Sequence, residues 1–228
     1  MLSLSFLHKA PLIRSPLLPQ PSSTSPPSPS LLCFHKPSFR LHSIRSMASE
    51  GAEDHRLKRI ASTIRVIPDF PKPGILFQDI TTLLLEPEAF RDTIDMLVER
   101  YRDKGISVVA GVEARGFIFG PPIALAIGAK FVPLRKPKKL PGEVISEEYS
   151  LEYGTDKMEM HVGAVQAGER ALVVDDLIAT GGTLAAAMRL LERVGAEVVE
   201  CACVIELPEL KGRDKLDGRP LFVLVKAA

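Results

Sequence analysis

The chain has 228 residues, of which 46% are hydrophobic, enough for one domain of ordinary size with a full core. Its formal net charge of +1 is unevenly spread, because residues 1–46 hold five Lys or Arg and no acidic residue, which leaves −4 on the rest. We therefore expect no nucleic-acid partner for the acidic part and, with no apolar run of membrane-spanning length, no membrane partner. The three cysteines suggest neither a disulfide framework nor a zinc site.

Residues 1–46 differ in composition from everything that follows. They contain eleven serines and eight prolines, and they cannot bury enough apolar surface to offset the entropy of ordering. A basic, Ser-rich and acid-free segment predicts a disordered extension that acts as a transit peptide, most simply for the chloroplast. A disordered tail without a targeting role is one alternative. A second translation start at Met47, giving a cytoplasmic form, is another, and the globular domain is predicted over residues 47–228.

Helical and strand patterns alternate after Met47. Helices are predicted near residues 52–66 and at 87–104, 117–127 and 183–194, and strands at 107–112, 130–134, 170–174, 197–205 and 221–225. A proline-rich segment follows the first helix and is predicted to be irregular. Residues 136–160 are polar and are predicted to form a long mobile excursion outside the core. The alternation predicts an α/β fold, with a doubly wound, mostly parallel sheet flanked by helices. Such sheets bind ligands beyond the carboxyl ends of their strands.

Cations follow two of the predicted strands. Arg115 lies in a tight turn after the strand at 107–112, and four cations lie within residues 135–139 after the next strand. Both groups suit a diphosphate, for which Arg115, Lys136 and Lys139 are the candidate ligands. A surface ion pair between Glu113 and Arg115 and a solvated charge run are the alternatives.

Residues 150–154 lie inside the long polar excursion. Their Leu151 and Tyr153 are unusual in a purely solvated loop, which indicates a lid that closes over a ligand. Glu152 would then lie near the reacting groups, although a single Glu in a loop is a weak signal.

The run from residue 171 to 183 carries the strongest functional signal. An apolar strand ends in an acid pair, Asp175 and Asp176, and a loop of small residues opens the next helix: Ala179, Thr180, Gly181, Gly182 and Thr183. Free N–H groups at a helix start favour an anion, and carboxylates suit ribose hydroxyls while repelling phosphate. Together they predict a site for a phosphorylated ribose. The run resembles the 5-phosphoribosyl-1-pyrophosphate (PRPP) signature of type I phosphoribosyltransferases.

Further motifs resemble those of the adenine phosphoribosyltransferases, in order, over roughly residues 52–225. They are residues 68–80, 114–121, 135–136, 140–142, 150–154 and the stretches 206–207 and 210–212. The resemblance implies a type I phosphoribosyltransferase fold in which residues 68–80 form a small hood over the base site.

The same resemblance implies the reaction and the roles of residues. Adenine and PRPP would give AMP and pyrophosphate, with Mg²⁺ held mainly by PRPP itself, near the acid pair. The loop at 179–183 would grip the 5-phosphate, and the three cations would receive the pyrophosphate. Phe77 would stack on the purine, with Leu76 and Gln78 lining its pocket, and Glu152 would handle a proton or orient the base. A homodimer is also implied. Many relatives carry Arg where this chain has Gln78.

Two other functions compete with this interpretation. A hypoxanthine or guanine transferase would carry a side chain suited to a 6-oxo group, often Lys, on the strand at 198–207, which has none. A regulatory domain that senses PRPP without reacting would be expected to carry a DNA-binding module and to have little use for a lid. Whether N6-substituted adenines such as cytokinin bases are also accepted stays open.

Overall fold

A computed structural model describes residues 54–151 and 154–227. In chain order the elements are α1 (His55–Thr63), β1 (Arg65–Pro68), β2 (Leu76–Asp79), α2 (Thr81–Leu84), α3 (Pro87–Tyr101), β3 (Val108–Val112), α4 (Gly116–Ile127), β4 (Lys130–Leu134), β5 (Val144–Leu151), β6 (Gly154–His161), β7 (Arg170–Ile178), α5 (Gly182–Glu192), β8 (Glu197–Glu206), two 3₁₀ turns (Pro208–Leu210 and Gly212–Leu216) and β9 (Leu221–Lys226). The predicted extension at residues 1–46 lies outside the described residues.

A five-stranded parallel sheet organises the domain. Its strand order is β4-β3-β7-β8-β9, so β7 is the central strand. Successive residues of a strand point to opposite faces, and both faces are apolar because helices cover both. On β7, Leu172 and Val174 pack with α1, α3 and α4, whereas Ala171 and Val173 pack with α5. The predicted doubly wound α/β fold is confirmed.

The predicted elements are confirmed with shifted ends. The first helix is shorter than predicted, since α1 ends at Thr63 and β1 follows at Arg65. The proline-rich segment is not irregular throughout, because β1 and β2 pair as an antiparallel hairpin. Strand β7 runs on to Ile178, so the acid pair lies within the strand rather than after it. Hydrogen bonding to β8 continues as far as Ile178 and explains the extension.

The prediction of a mobile excursion at residues 136–160 is wrong for most of its length. Strands β5 and β6 form an antiparallel hairpin of eight paired positions that packs on α5. Tyr149, Met158 and Met160 are buried in the core beneath α5. In the second half of β6, Met158 and Met160 alternate with polar residues, a pattern typical of a strand buried on one face, and the strand is polar overall.

An ion-pair cluster joins α3 to the start of β8, at the sheet end opposite the acid pair. Buried Glu200 accepts hydrogen bonds from Arg100 at 2.6 and 3.0 Å and from Lys104 at 3.0 Å.

Glu200→Ala leaves two partly exposed cations without this acceptor, so we expect it to lower the free energy of unfolding by about 2 kcal/mol. Urea unfolding measures the change. Glu148→Ala, which breaks the exposed pair of Glu148 with Lys157, should leave the free energy of unfolding nearly unchanged. Equal losses in the two variants would contradict the assignment.

Among residues 54–151 and 154–227, every helix is too short or too polar to cross a membrane.

Candidate active site

The acid pair forms the floor of a cavity at the carboxyl end of β7. Asp175 and Asp176 are both buried, and the Asp176 N–H donates to Asp175 Oδ1 at 2.8 Å. Burial and then the neighbouring Asp176 carboxylate raise the pKa of Asp175 well above its usual range. Two adjacent buried carboxylates are costly unless a ligand supplies hydroxyl donors or a cation. The two carboxylates can therefore accept hydrogen bonds from the hydroxyls of a ligand or bind a cation.

The loop at 179–183 is shaped by a close contact between two glycines. Gly181 has φ +79° and lies against Gly212, where a Cβ would come within 2.1 Å of the Gly212 carbonyl oxygen. A Cβ on Gly212 would in turn lie 2.3 Å from the Ala179 carbonyl oxygen. The N-cap of α5 is Gly181 itself, whose lack of a side chain leaves the first N–H groups of the helix open to a ligand. The stretch after β8 thus packs directly against the 179–183 loop and fixes its shape.

Arg115 comes from the turn between β3 and α4 and lies beside the acid pair. Its Nε donates to Asp176 Oδ2 in an ion pair. The turn approaches β7 closely, since a Cβ on Gly116 would lie 2.4 Å from the Val174 carbonyl oxygen. The predicted alternative, an ion pair between Arg115 and Glu113, is wrong. Glu113 instead pairs with Arg135 at 3.0 and 3.2 Å.

Lys136 reaches the same cavity from the segment after β4. Its Nζ lies 3.2 Å from Asp156 Oδ2 on β6, and the Tyr149 hydroxyl donates to the same oxygen at 3.3 Å. Tyr149 and Asp156 were not predicted as site residues, because the hairpin that carries them was not predicted. The sequence did offer a signal for Tyr149, because an aromatic residue in a strand whose side chains alternate between two faces is expected on the face that packs in the core. Lys139 is exposed and lies outside the lining of this cavity.

The cavity has a volume of about 730 Å³. Its lining brings together most of the residues predicted at the carboxyl ends of three strands: Arg115, Lys136, Asp175, Asp176, Ala179, Thr180, Gly181 and Thr183. Gly182 is buried at the start of α5 behind them. Carboxylates, loop N–H groups and cations around one space can hold a molecule that carries both hydroxyls and phosphates.

The three predicted base-site residues lie on β2 and do not line this cavity. Leu76 is 56% exposed, and Gln78 Nε2 donates to the Leu76 carbonyl at 3.4 Å. Phe77 packs edge-to-face on Phe70, with ring centroids 5.0 Å apart. The hairpin therefore presents an apolar surface that a flat ring could stack on. Glu152, the predicted proton-handling residue, lies outside the described residues.

Comparison with known proteins identifies the class first. The family described as the phosphoribosyl transferase domain matches residues 79–220, from the end of β2 to the turn before β9. The fold is that of a type I phosphoribosyltransferase.

Proteins of similar sequence identify the particular family within this class. Over 182 residues the chain is 79% identical to the chloroplastic adenine phosphoribosyltransferase 1 of Arabidopsis thaliana, covering 80% of this chain and 75% of that protein. It is 82% identical over 176 residues to adenine phosphoribosyltransferase 1 of Triticum aestivum, covering 77% and 97%. The Saccharomyces cerevisiae adenine phosphoribosyltransferase, solved with an imino-altritol bisphosphate and adenine, is 42% identical to this chain with a TM-score of 0.71, and the match covers 75% of this chain and 99% of that one. The chain belongs to the adenine phosphoribosyltransferase family.

Proposed function

We propose that this protein transfers 5-phosphoribose from PRPP to adenine, giving AMP and pyrophosphate. The observation that carries the proposal is the shared cavity: the acid pair, the 179–183 loop, Arg115 and Lys136 face one space. Adenine as the base is supported by the names of the relatives and by the yeast enzyme, which was solved with adenine bound.

Different residues bind different groups of the two substrates. The N–H groups of the 179–183 loop and the hydroxyls of Thr180 and Thr183 receive the 5-phosphate. The acid pair accepts the ribose hydroxyls. Arg115, Lys136 and Lys139 receive the pyrophosphate, with Arg115 oriented by Asp176. On the hood, Phe77 stacks on adenine between Leu76 and Gln78.

The acid pair also fits Mg²⁺ that arrives with the substrate. Carboxylate oxygens are the ligands that Mg²⁺ prefers, and both carboxylates of the pair line the cavity. Among the described residues there is no cluster of three or more His, Cys, Asp or Glu suited to a metal, so PRPP must supply further oxygens. The bound ion would neutralise charge on the diphosphate as it leaves.

The chain's own residues supply orientation and electrostatic stabilisation. As the C1–O bond to pyrophosphate breaks, the ribose ring gains positive character and the diphosphate gains negative charge. Arg115 and Lys136 stabilise that charge, and gripping the 5-phosphate and the hydroxyls fixes C1 opposite the attacking nitrogen. Exclusion of water matters because water at C1 would destroy PRPP without product.

Glu152 is proposed as the residue that orients the base or takes its proton. We expect Glu152→Ala to lower kcat by about a hundredfold and to change adenine affinity by less, because general acid–base groups act mainly in the transition state. Steady-state kinetics together with adenine titration measure both. A variant with wild-type turnover would remove Glu152 from the mechanism.

Assembly and compartment are proposed on separate grounds. A homodimer is proposed from family membership. For residues 1–46 we propose a chloroplast transit peptide, supported by their composition and by the chloroplastic relative. A cytoplasmic form begun at Met47 is the competing outcome. Mass spectrometry of the mature N-terminus distinguishes the two.

An assay with purified protein tests the reaction. With PRPP, Mg²⁺ and adenine we expect AMP and pyrophosphate in equal amounts, and little product with hypoxanthine or guanine. An N6-substituted adenine in parallel tests tolerance at the base edge. Faster turnover of a 6-oxopurine would reassign the substrate. PRPP binding without turnover of any purine would indicate a sensor.

A further inference from the structure

Lys136, a proposed pyrophosphate ligand, has an anionic partner within the cavity. Its Nζ lies 3.2 Å from Asp156 Oδ2, and both residues line the cavity. A negative side chain at an anion site weakens anion binding by repulsion and by competition for the cation. Substrate binding therefore does not explain why an acidic side chain lies beside Lys136.

The two partners of this ion pair differ in how firmly they are held. The Asp156 carboxylate is 21% exposed and is fixed by the Lys157 N–H at 2.8 Å and by the Tyr149 hydroxyl at 3.3 Å. Burial and then the Asp156 charge raise the pKa of Tyr149 to about 12, so this hydroxyl remains a donor. The Lys136 side chain is 60% exposed on a flexible stem. When the partners separate, the lysine moves and the carboxylate stays.

We propose that Asp156 is a positioning residue that competes with pyrophosphate for Lys136 and thereby promotes release of the pyrophosphate product. Lys136 leaves Asp156 when the diphosphate of PRPP enters and returns to it as pyrophosphate departs. Asp156 holds the ammonium at the cavity between turnovers and keeps the product from binding too tightly. This inference rests on the proposed function, since it assumes that the diphosphate lies at Lys136.

Pyrophosphate binding tests the exchange without turnover. Isothermal titration of the full-length protein with magnesium pyrophosphate should show that Asp156→Asn binds about five- to tenfold more tightly than wild type. Asparagine keeps the shape and an acceptor for Tyr149 while removing the charge. Product inhibition by pyrophosphate should strengthen by a similar factor. A residue that merely maintained the fold would weaken binding when replaced, so the direction of the change is diagnostic.

A matched control comes from the same hairpin. Glu148 pairs with Lys157 at 2.7 Å, and both side chains are at least half exposed and outside the cavity lining. Glu148→Gln removes one negative charge near the site and should leave pyrophosphate affinity unchanged. Against a Lys136→Met background, Asp156→Asn should tighten binding by clearly less than in the wild-type background, because the competition for Lys136 no longer exists and only the repulsion of the anion is relieved.

The outcomes separate this inference from the proposed function. Unchanged or weaker pyrophosphate binding by Asp156→Asn would overturn the exchange, even if the wild type makes AMP at a normal rate. Equal tightening in Glu148→Gln would also overturn it, since general charge would then explain the effect. A wild type that makes no nucleotide and binds no pyrophosphate would instead overturn the proposed function and this inference with it.

Discussion

Replacing both members of the acid pair, Asp175→Asn with Asp176→Asn, should lower kcat/KM for PRPP by about a thousandfold, roughly 4 kcal/mol. Each carboxylate is expected to accept a charge-assisted hydrogen bond from a ribose hydroxyl, and an amide accepts a weaker one. Asp176→Asn also removes the negative partner of Arg115. The fold should persist, since the amides keep the size of the carboxylates and relieve the repulsion between two buried acids.

Steady-state kinetics at varied PRPP measure the loss, and thermal unfolding checks the fold. Glu200→Gln is the matched control, because it makes the same acid-to-amide change at a buried position of the neighbouring strand, far from the cavity. Its kcat/KM should stay within about twofold of wild type. PRPP affinity retained by the double variant would reject the assignment of the ribose hydroxyls to the acid pair.

Gly181→Ala should lower PRPP affinity by about a hundredfold. The new Cβ would lie 2.1 Å from the Gly212 carbonyl oxygen, which is backbone and cannot rotate away, so the 179–183 loop must shift. Loss of several well-aimed N–H donors to a phosphate costs roughly 3 kcal/mol. Titration with PRPP and with ribose 5-phosphate reports the change, and both ligands should weaken alike because they share the 5-phosphate.

Gly168→Ala separates the displaced loop from general backbone strain. Gly168 has φ +80°, nearly the φ of Gly181, but nothing lies within 4 Å of its Cβ position. Both variants should lose about 1 kcal/mol of stability from alanine at positive φ, and Gly181→Ala should lose more because its Cβ also clashes with the Gly212 carbonyl. Only Gly181→Ala should lose ligand affinity. Similar PRPP binding by the two variants would contradict a role for the loop in holding the 5-phosphate.

Local patterns accounted for the central part of the fold. Apolar strands such as β3, and β8 beyond Glu200, were predictable because a parallel strand is covered on both faces and its sequence is a run of apolar residues. The long hairpin of β5 and β6 was not, because one of its faces is polar and its buried residues alternate with charged ones. Its core side chains, Tyr149 and Met160, were read as part of a mobile segment.

In the candidate site too, the residues were predictable from local sequence but their contacts were not. The placement of Asp175, Gly181 and Arg115 in one cavity was predictable for two reasons. Each residue follows or ends a recognisable apolar strand, and the carboxyl ends of parallel strands meet at one edge of the sheet. The partners of these residues depend on contacts between distant parts of the chain. The pairing of Arg115 with Asp176 spans 61 positions, and no local pattern encodes it. The contact of Gly212 with Gly181 likewise appears only in three dimensions.

A crystal structure of the protein with Mg²⁺ and PRPP would show whether the cavity at the carboxyl end of β7 is the PRPP site. We expect the 5-phosphate to lie within hydrogen-bond distance of the N–H groups of the 179–183 loop and the ribose hydroxyls to contact Asp175 and Asp176. Fully occupied PRPP bound elsewhere, with the loop and the acid pair open to solvent, would contradict it.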